Sequence, residues 1–169
     1  MRISRRHLLA ASAALAVACG GGVGSLGWSW WSAPADAPYR FLSTEEAAFC
    51  VALAAALYPR GGEPALGGRD VGADRFVDAV MGSMPEFQQH GLKLLMHAMD
   101  NAAKLSDIKA FRSLERDRAE ALVWSWLEAP LAEQRSAVQS LALLVGMAYT
   151  THPEVAPFFS RWSGCGYGL

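Results

Sequence analysis

LAEQRSAVQSLALLVGMAY, residues 131–149, opens amphipathic and becomes almost wholly apolar. From Ala137 to Tyr149 only Gln139 and Ser140 are polar, while Leu131, Val138, Leu141, Ala142, Val145, Ala148 and Tyr149 recur at helical spacing. A helix apolar nearly all round is a buried one, and the apolar end here is too short to span a bilayer. The stretch is therefore expected to form the central core helix. Gly146 fits that place, because a mid-helix glycine costs about 1 kcal/mol relative to alanine and close approach of a neighbouring backbone is the usual reason for one.

Working outward, residues 115–128 carry Ala119, Leu122, Val123, Trp126 and Leu127 at i, i+3, i+4, i+7 and i+8, with Trp124 off that face. Ala129-Pro130 then makes a tight break, so this helix is expected to fold back antiparallel against residues 131–149. Ser43-Thr44-Glu45-Glu46 is a capping box. It predicts a first helix that buries Phe49, Ala52, Leu53, Ala56 and Leu57 and stops at Tyr58-Pro59-Arg60-Gly61-Gly62. A second helix over about 72–82 buries Ala73, Val77, Val80 and Met81, with Asp70 or Asp74 near its positive end. Ser83-Met84-Pro85-Glu86 reads as another capping box, leading a longer helix to about Leu105 with Phe87, Gly91, Leu94, Leu95, Ala98, Ala102 and Leu105 on one side. No segment alternates with a strand period. The fold class is all-α: one compact bundle of about five helices, with an irregular aromatic C-terminal tail.

At 169 residues and 52% hydrophobic content, the chain can bury one good core. The net charge of -1, with no basic stripe among aromatics, gives no case for nucleic acid. The first residues, MRISRRHLLAASAALAVACGGG, place basic groups before an uncharged apolar run, the layout of an export signal. Ser4, Arg5, Arg6, Leu8 and Leu9 resemble the twin-arginine (Tat) signal, with Leu8 in place of the usual Phe and Ala10 in place of the following Lys. Three fates compete. Ala16-Val17-Ala18 and Ala33-Pro34-Ala35 offer cleavage sites, Ala16-Val17-Ala18-Cys19 looks like a poor lipobox, and residues 8–31 are uncharged and long enough to remain as an anchor. All three place the rest of the chain outside the cytoplasm. Residues 1–37 are thus read as signal or anchor plus linker, and 38–169 as the helical domain.

Candidate chemistry is sparse. Residues 61–70, GGEPALGGRD, are half glycine and proline, yet lack GK[ST], GxGxxG order and a preceding strand, so they read as a connecting loop and not a phosphate cradle. His90 and His97 stand seven apart, whereas a metal pair on adjacent turns needs i, i+3 or i, i+4. Met81, Met84, Met96 and Met99 read as core filler. Cys19, Cys50 and Cys165 form no zinc or haem-attachment motif. A Cys50–Cys165 disulfide and a buried thiol at Cys50 both remain open. No catalytic, cofactor-binding or metal-ligating set is assigned. The ending THPEVAPFFSRWSGCGYGL is too aromatic for a disordered tail. It either packs on the bundle or offers His152, Phe158, Phe159, Trp162 and Tyr167, together with Trp124, to a partner.

With the export signal, the capped first helix, Phe111-x-x-Leu114 leading into the helix of Trp124 and Trp126, and the ending Tyr149-Thr150-Thr151-His152-Pro153, the chain resembles the gluconate 2-dehydrogenase subunit 3 family. Leu57-Tyr58-Pro59-Arg60, the glycine-rich loop, Val71 and Arg75-Phe76-Val77-Asp78 are similar to the family's first half, and the likeness covers about residues 41–168. The GCGYGL ending matches only in character. The resemblance implies a non-catalytic small subunit of a periplasmic, membrane-associated, GMC-type flavin dehydrogenase. It further implies that the large partner holds FAD, that the Tat translocase exports the small subunit, and that a membrane-bound cytochrome is a further partner. The alternative from the residues alone is a stand-alone helical periplasmic protein binding metal or haem through His90, His97 or His152.

Overall fold

In the computed structural model, which describes residues 29–160, the capping box forms as expected. Ser43 Oγ accepts from the Glu46 N–H at 3.3 Å, and the Glu46 carboxylate accepts from the Ser43 N–H at 2.7 Å. These bonds satisfy two of the donors that every helix start leaves open. They open α1, Thr44–Leu57. There follow α2, Ala73–Met81; α3, Glu86–Ala102; a single turn α4, Lys104–Asp107; α5, Arg116–Leu127; α6, Ala132–Thr151; and a short α7, Ala156–Ser160. Two 3-10 turns, Gly68–Asp70 and Phe111–Ser113, join them. No strand occurs among the described residues, so the class is all-α. The chain divides into two units, Met1–Ala33 and Pro34–Leu169. Of the first only residues 29–33 are described, so Ser4, Arg5, Arg6, Leu8 and Leu9 lie outside the described residues. No helix among the described residues is long and apolar enough to cross a membrane.

The central helix is α1, not α6. It touches α2, α3, α5, α6 and both 3-10 turns. Phe49, Cys50, Leu53 and Ala54 are almost wholly buried, and a fully buried Phe or Leu contributes about 1.5–3 kcal/mol. On α6, Val138, Leu141, Val145, Ala148 and Tyr149 face inward, while Leu143 and Met147 are exposed and Leu131 lies outside the core. Apolar composition overstated the burial of α6, because small α1 side chains let six neighbouring elements crowd around α1. At Gly146 the close neighbour is a side chain: a β-carbon there would stand 2.8 Å from the Tyr58 hydroxyl.

Helix α3 also turns a different face inward. Lys93, Met96, His97, Met99 and Asp100 are buried, whereas Phe87 and Leu105 are among the most exposed apolar side chains. Ion pairs set this rotation. The fully buried Glu46 carboxylate of α1 accepts from Lys93 Nζ at 3.0 Å and meets His97 Nε2 at 3.1 Å. One turn further along, Asp100 accepts from the Arg112 backbone at 2.9 Å and pairs with the Arg112 guanidinium, which reaches Glu45 at 2.8 Å. The expected second capping box does not form. Ser83 Oγ instead donates to the Val80 carbonyl as the α2 chain finishes its last turn, and Pro85 stands at the start of α3.

Candidate partner interface

Trp124 stands where the helix period puts it. Its neighbours Ala119, Leu122, Val123 and Trp126 are buried on the core face of α5, and the Trp124 side chain is 56% exposed. At the other end of α6, His152 adopts extended backbone and ends the helix, its Nδ1 accepting from the Glu154 N–H at 3.3 Å. The chain then turns back, with the Val155 N–H on the His152 carbonyl at 2.9 Å and the Val155 side chain fully buried. Phe158 meets Phe159 edge-on at 5.5 Å, and Phe159 meets Tyr149 edge-on at 6.4 Å. Tyr149 lies flat on Tyr58 at 4.1 Å and donates to the Leu66 carbonyl at 2.8 Å. Burial raises the pKa of both tyrosines, so neither ionises near neutral pH.

This aromatic ladder ties residues 152–160 to α6, the end of α1 and the glycine-rich loop. Up to Ser160, then, the tail packs on the bundle. Truncation after Pro153 is expected to lower the unfolding free energy by about 2–3 kcal/mol, the loss of buried Val155 and of the Phe159 contact. A thermal midpoint equal to that of the full chain would refute this packing. Trp124 lies near the end of α5 that leads into α6, whereas the tail follows the far end of α6, a helix of 20 residues and roughly 30 Å. They do not form one patch. Trp162 and Tyr167 lie outside the described residues.

The exposed apolar surface extends beyond the predicted set. Leu105 and Ile108, both above 90% exposed, flank the end of α4, where Ile108 adopts the left-handed conformation at φ 62°. A β-branched residue is rarely found there. Leu143 and Met147 are one turn apart on the outer side of α6. Compared with protein-family models, curated proteins and solved structures, the chain matches none.

The histidines are held apart by their own contacts. His97 is committed to Glu46, His152 to the turn after α6, and His90 is half-buried two helical turns before His97. No group of three His, Cys, Asp or Glu side chains among the described residues is placed to hold a metal ion. Met81, Met96 and Met99 are buried and Met84 packs against the core, as their reading as filler requires. Met96 Sδ accepts from the Cys50 thiol at 3.6 Å. Burial pushes that thiol's pKa up, so Cys50 is a poor nucleophile. Cys165 lies outside the described residues.

Burial alone would raise the Glu46 pKa. The hydrogen bonds from His97, the Ser43 backbone and Lys93, with the Lys93 charge, outweigh it, and the net shift is downward. Asp78 is held below its usual value in the same way, burial being outweighed by the N–H groups of Arg40, Phe41 and Leu42 at 3.0, 2.8 and 2.9 Å. Asp78 thereby fastens the segment before α1 onto α2. Beside it Tyr39 donates to Asp74 at 2.6 Å, a bond that, with burial, moves the phenol up to about 12. Every buried side-chain nitrogen and oxygen among the described residues has a partner. These charges therefore have the character of a framework. No residue-type signal marked Lys93 as a core residue; the capping box, which sends the Glu46 carboxylate inward, was the nearest hint.

Proposed function

We propose that the protein is a non-catalytic small subunit of a periplasmic, membrane-associated, FAD-dependent dehydrogenase of the GMC type, aiding export, maturation or stability of the catalytic subunit. FAD resides in that partner. The observation carrying this reading is the arginine-pair signal at Arg5 and Arg6 in a chain whose folded domain exposes Trp124, Leu105, Ile108 and Leu143. Large apolar side chains left in water are the usual anchors of protein interfaces. A twin-arginine signal suits cargo that folds and loads its cofactor before export. A small bundle bearing such a signal can carry a flavoprotein that has none.

On this reading Arg5→Lys with Arg6→Lys abolishes periplasmic accumulation of both the small protein and the flavoprotein, while the helical domain still folds. A Sec signal would tolerate the change, because it requires only positive charge. Periplasmic flavin-dependent dehydrogenase activity, measured with wild-type, double-lysine and deleted small subunit, tests both points. Unchanged activity on deletion would refute the carrier role.

A further inference from the structure

Among the described residues one side of α1 is only partly covered, and its chemistry is one-sided. Ala48, Ala52 and Ala55 follow one another along this face at helical spacing and floor two open hollows of about 350 and 300 Å³ that meet at Arg69. Arg112 lines the first hollow, and Arg60 and Arg116 line the second, with Tyr58 closing its end. Among the described residues no acidic side chain lines either hollow, although the chain as a whole carries a net charge of -1.

The four arginines differ in what they have left to offer. Arg60 is fixed by Asp70, and Arg112 by Asp100 and Glu45. Arg69 has no hydrogen-bond or ion-pair partner among the described residues, and its charge acts on the neighbouring Asp70. Arg116 has a single long contact, 3.5 Å, to its exposed neighbour Asp117. Two guanidinium groups thus border one hollow with their bidentate edges largely unused, in the geometry that carboxylates complement.

The shape chooses between ligands. A small anion is usually enclosed in a concave site, but these hollows are open and run along a helix about 21 Å long. A floor of alanines lets another backbone come close, as in helix-in-groove docking. We infer that this groove docks an acidic, amphipathic segment of the partner protein, which lays small apolar side chains on Ala48, Ala52 and Ala55 and a carboxylate between Arg69 and Arg116. The inference rests on the accessory-subunit reading, and names the chemistry by which the partner is recognised.

The test uses full-length protein co-expressed with the GMC-type flavoprotein of its source organism. Arg69→Glu with Arg116→Glu is expected to weaken co-purification of the flavoprotein about tenfold or more. Arg69→Lys with Arg116→Lys retains the charge and most of the binding. Both arginines are exposed, so the thermal midpoint should not move. The photo-crosslinking residue p-benzoylphenylalanine, placed at the exposed Ala48, should give an adduct on a Glu- or Asp-rich segment of the flavoprotein. An adduct with a second copy of this chain, or none, would overturn the groove, as would full binding by the double-glutamate variant. If the wild-type protein captures no flavoprotein at all, the accessory-subunit reading falls together with the groove. Capture that ignores the groove variants removes the groove alone.

Discussion

Replacing Glu46 by alanine is expected to lower the unfolding free energy by about 3–5 kcal/mol, as breaking a buried ion pair from one side does. Glu46 is 1% exposed, and its carboxylate serves Ser43, Lys93 and His97 together. Removing it unfastens the start of α1, takes from the buried Lys93 ammonium this counter-charge and takes from His97 a hydrogen-bond partner. Lys93 is 5% exposed, so water does little to replace the lost carboxylate. Glu46→Leu combined with Lys93→Met and His97→Leu should recover much of the loss, because well-packed apolar groups replace a buried ionic cluster at little cost. Acid should imitate the single mutant. A carboxylate whose folded pKa is depressed contributes stability that is complete above its unfolded value, about 4.3 for glutamate. That contribution drains away as the pH falls through the lower folded value. Asp78, also depressed, adds loss in the same direction. Urea unfolding of the wild type and both variants, at neutral pH and down a pH series, measures all of this. A Glu46→Ala loss under about 1 kcal/mol would show that the cluster contributes nothing beyond packing.

That cluster also explains what residue type could and could not tell. The Ser43–Glu46 box, the core stripe of α5 and the exposure of Trp124 follow from spacing alone, and all three are as expected. Hydropathy failed on α3, because it counts Lys93, His97 and Asp100 as outward-facing by type and so rotated the helix until Phe87 and Leu105 pointed inward. Pairing cancels the penalty of burying charge, and pairing partners 47 and 51 residues away leave no local trace. The choice of central helix failed for a different reason: it weighed only the apolar end of α6 and passed over α1, which is the more apolar helix along its whole length and has more elements packed around it. At the surface, Ala52 was expected on the buried face of α1, whereas it is half-buried and lines an open hollow with Ala48. The arginines that border this face come from three other segments, and only the fold assembles them.

Three glycines should separate close contact from mere helix weakness, and Gly68→Ala should cost the most, about 3 kcal/mol. A β-carbon on Gly68 would fall well inside van der Waals contact with the carbonyl carbon and oxygen of Ala54, backbone atoms in the last turn of the central helix. Nothing there can swing aside. The glycine-rich loop would have to lift, breaking the 2.7 Å bond from the Gly68 N–H to the Tyr58 carbonyl and shifting Asp70 away from Arg60. Gly146→Ala meets only the tip of Tyr58, so it should cost about 1 kcal/mol, chiefly by disturbing the stack with Tyr149. Gly91 lies inside α3 with nothing within 4 Å of an added β-carbon. Gly91→Ala should therefore stabilise, by about 0.5–1 kcal/mol, through helix propensity alone. The order of urea midpoints, Gly91→Ala above wild type, then Gly146→Ala, then Gly68→Ala, is the expected result. A Gly68→Ala midpoint at or above wild type would mean that loop and helix do not touch as described, and the walls of the α1 groove would lose their fixed spacing with them.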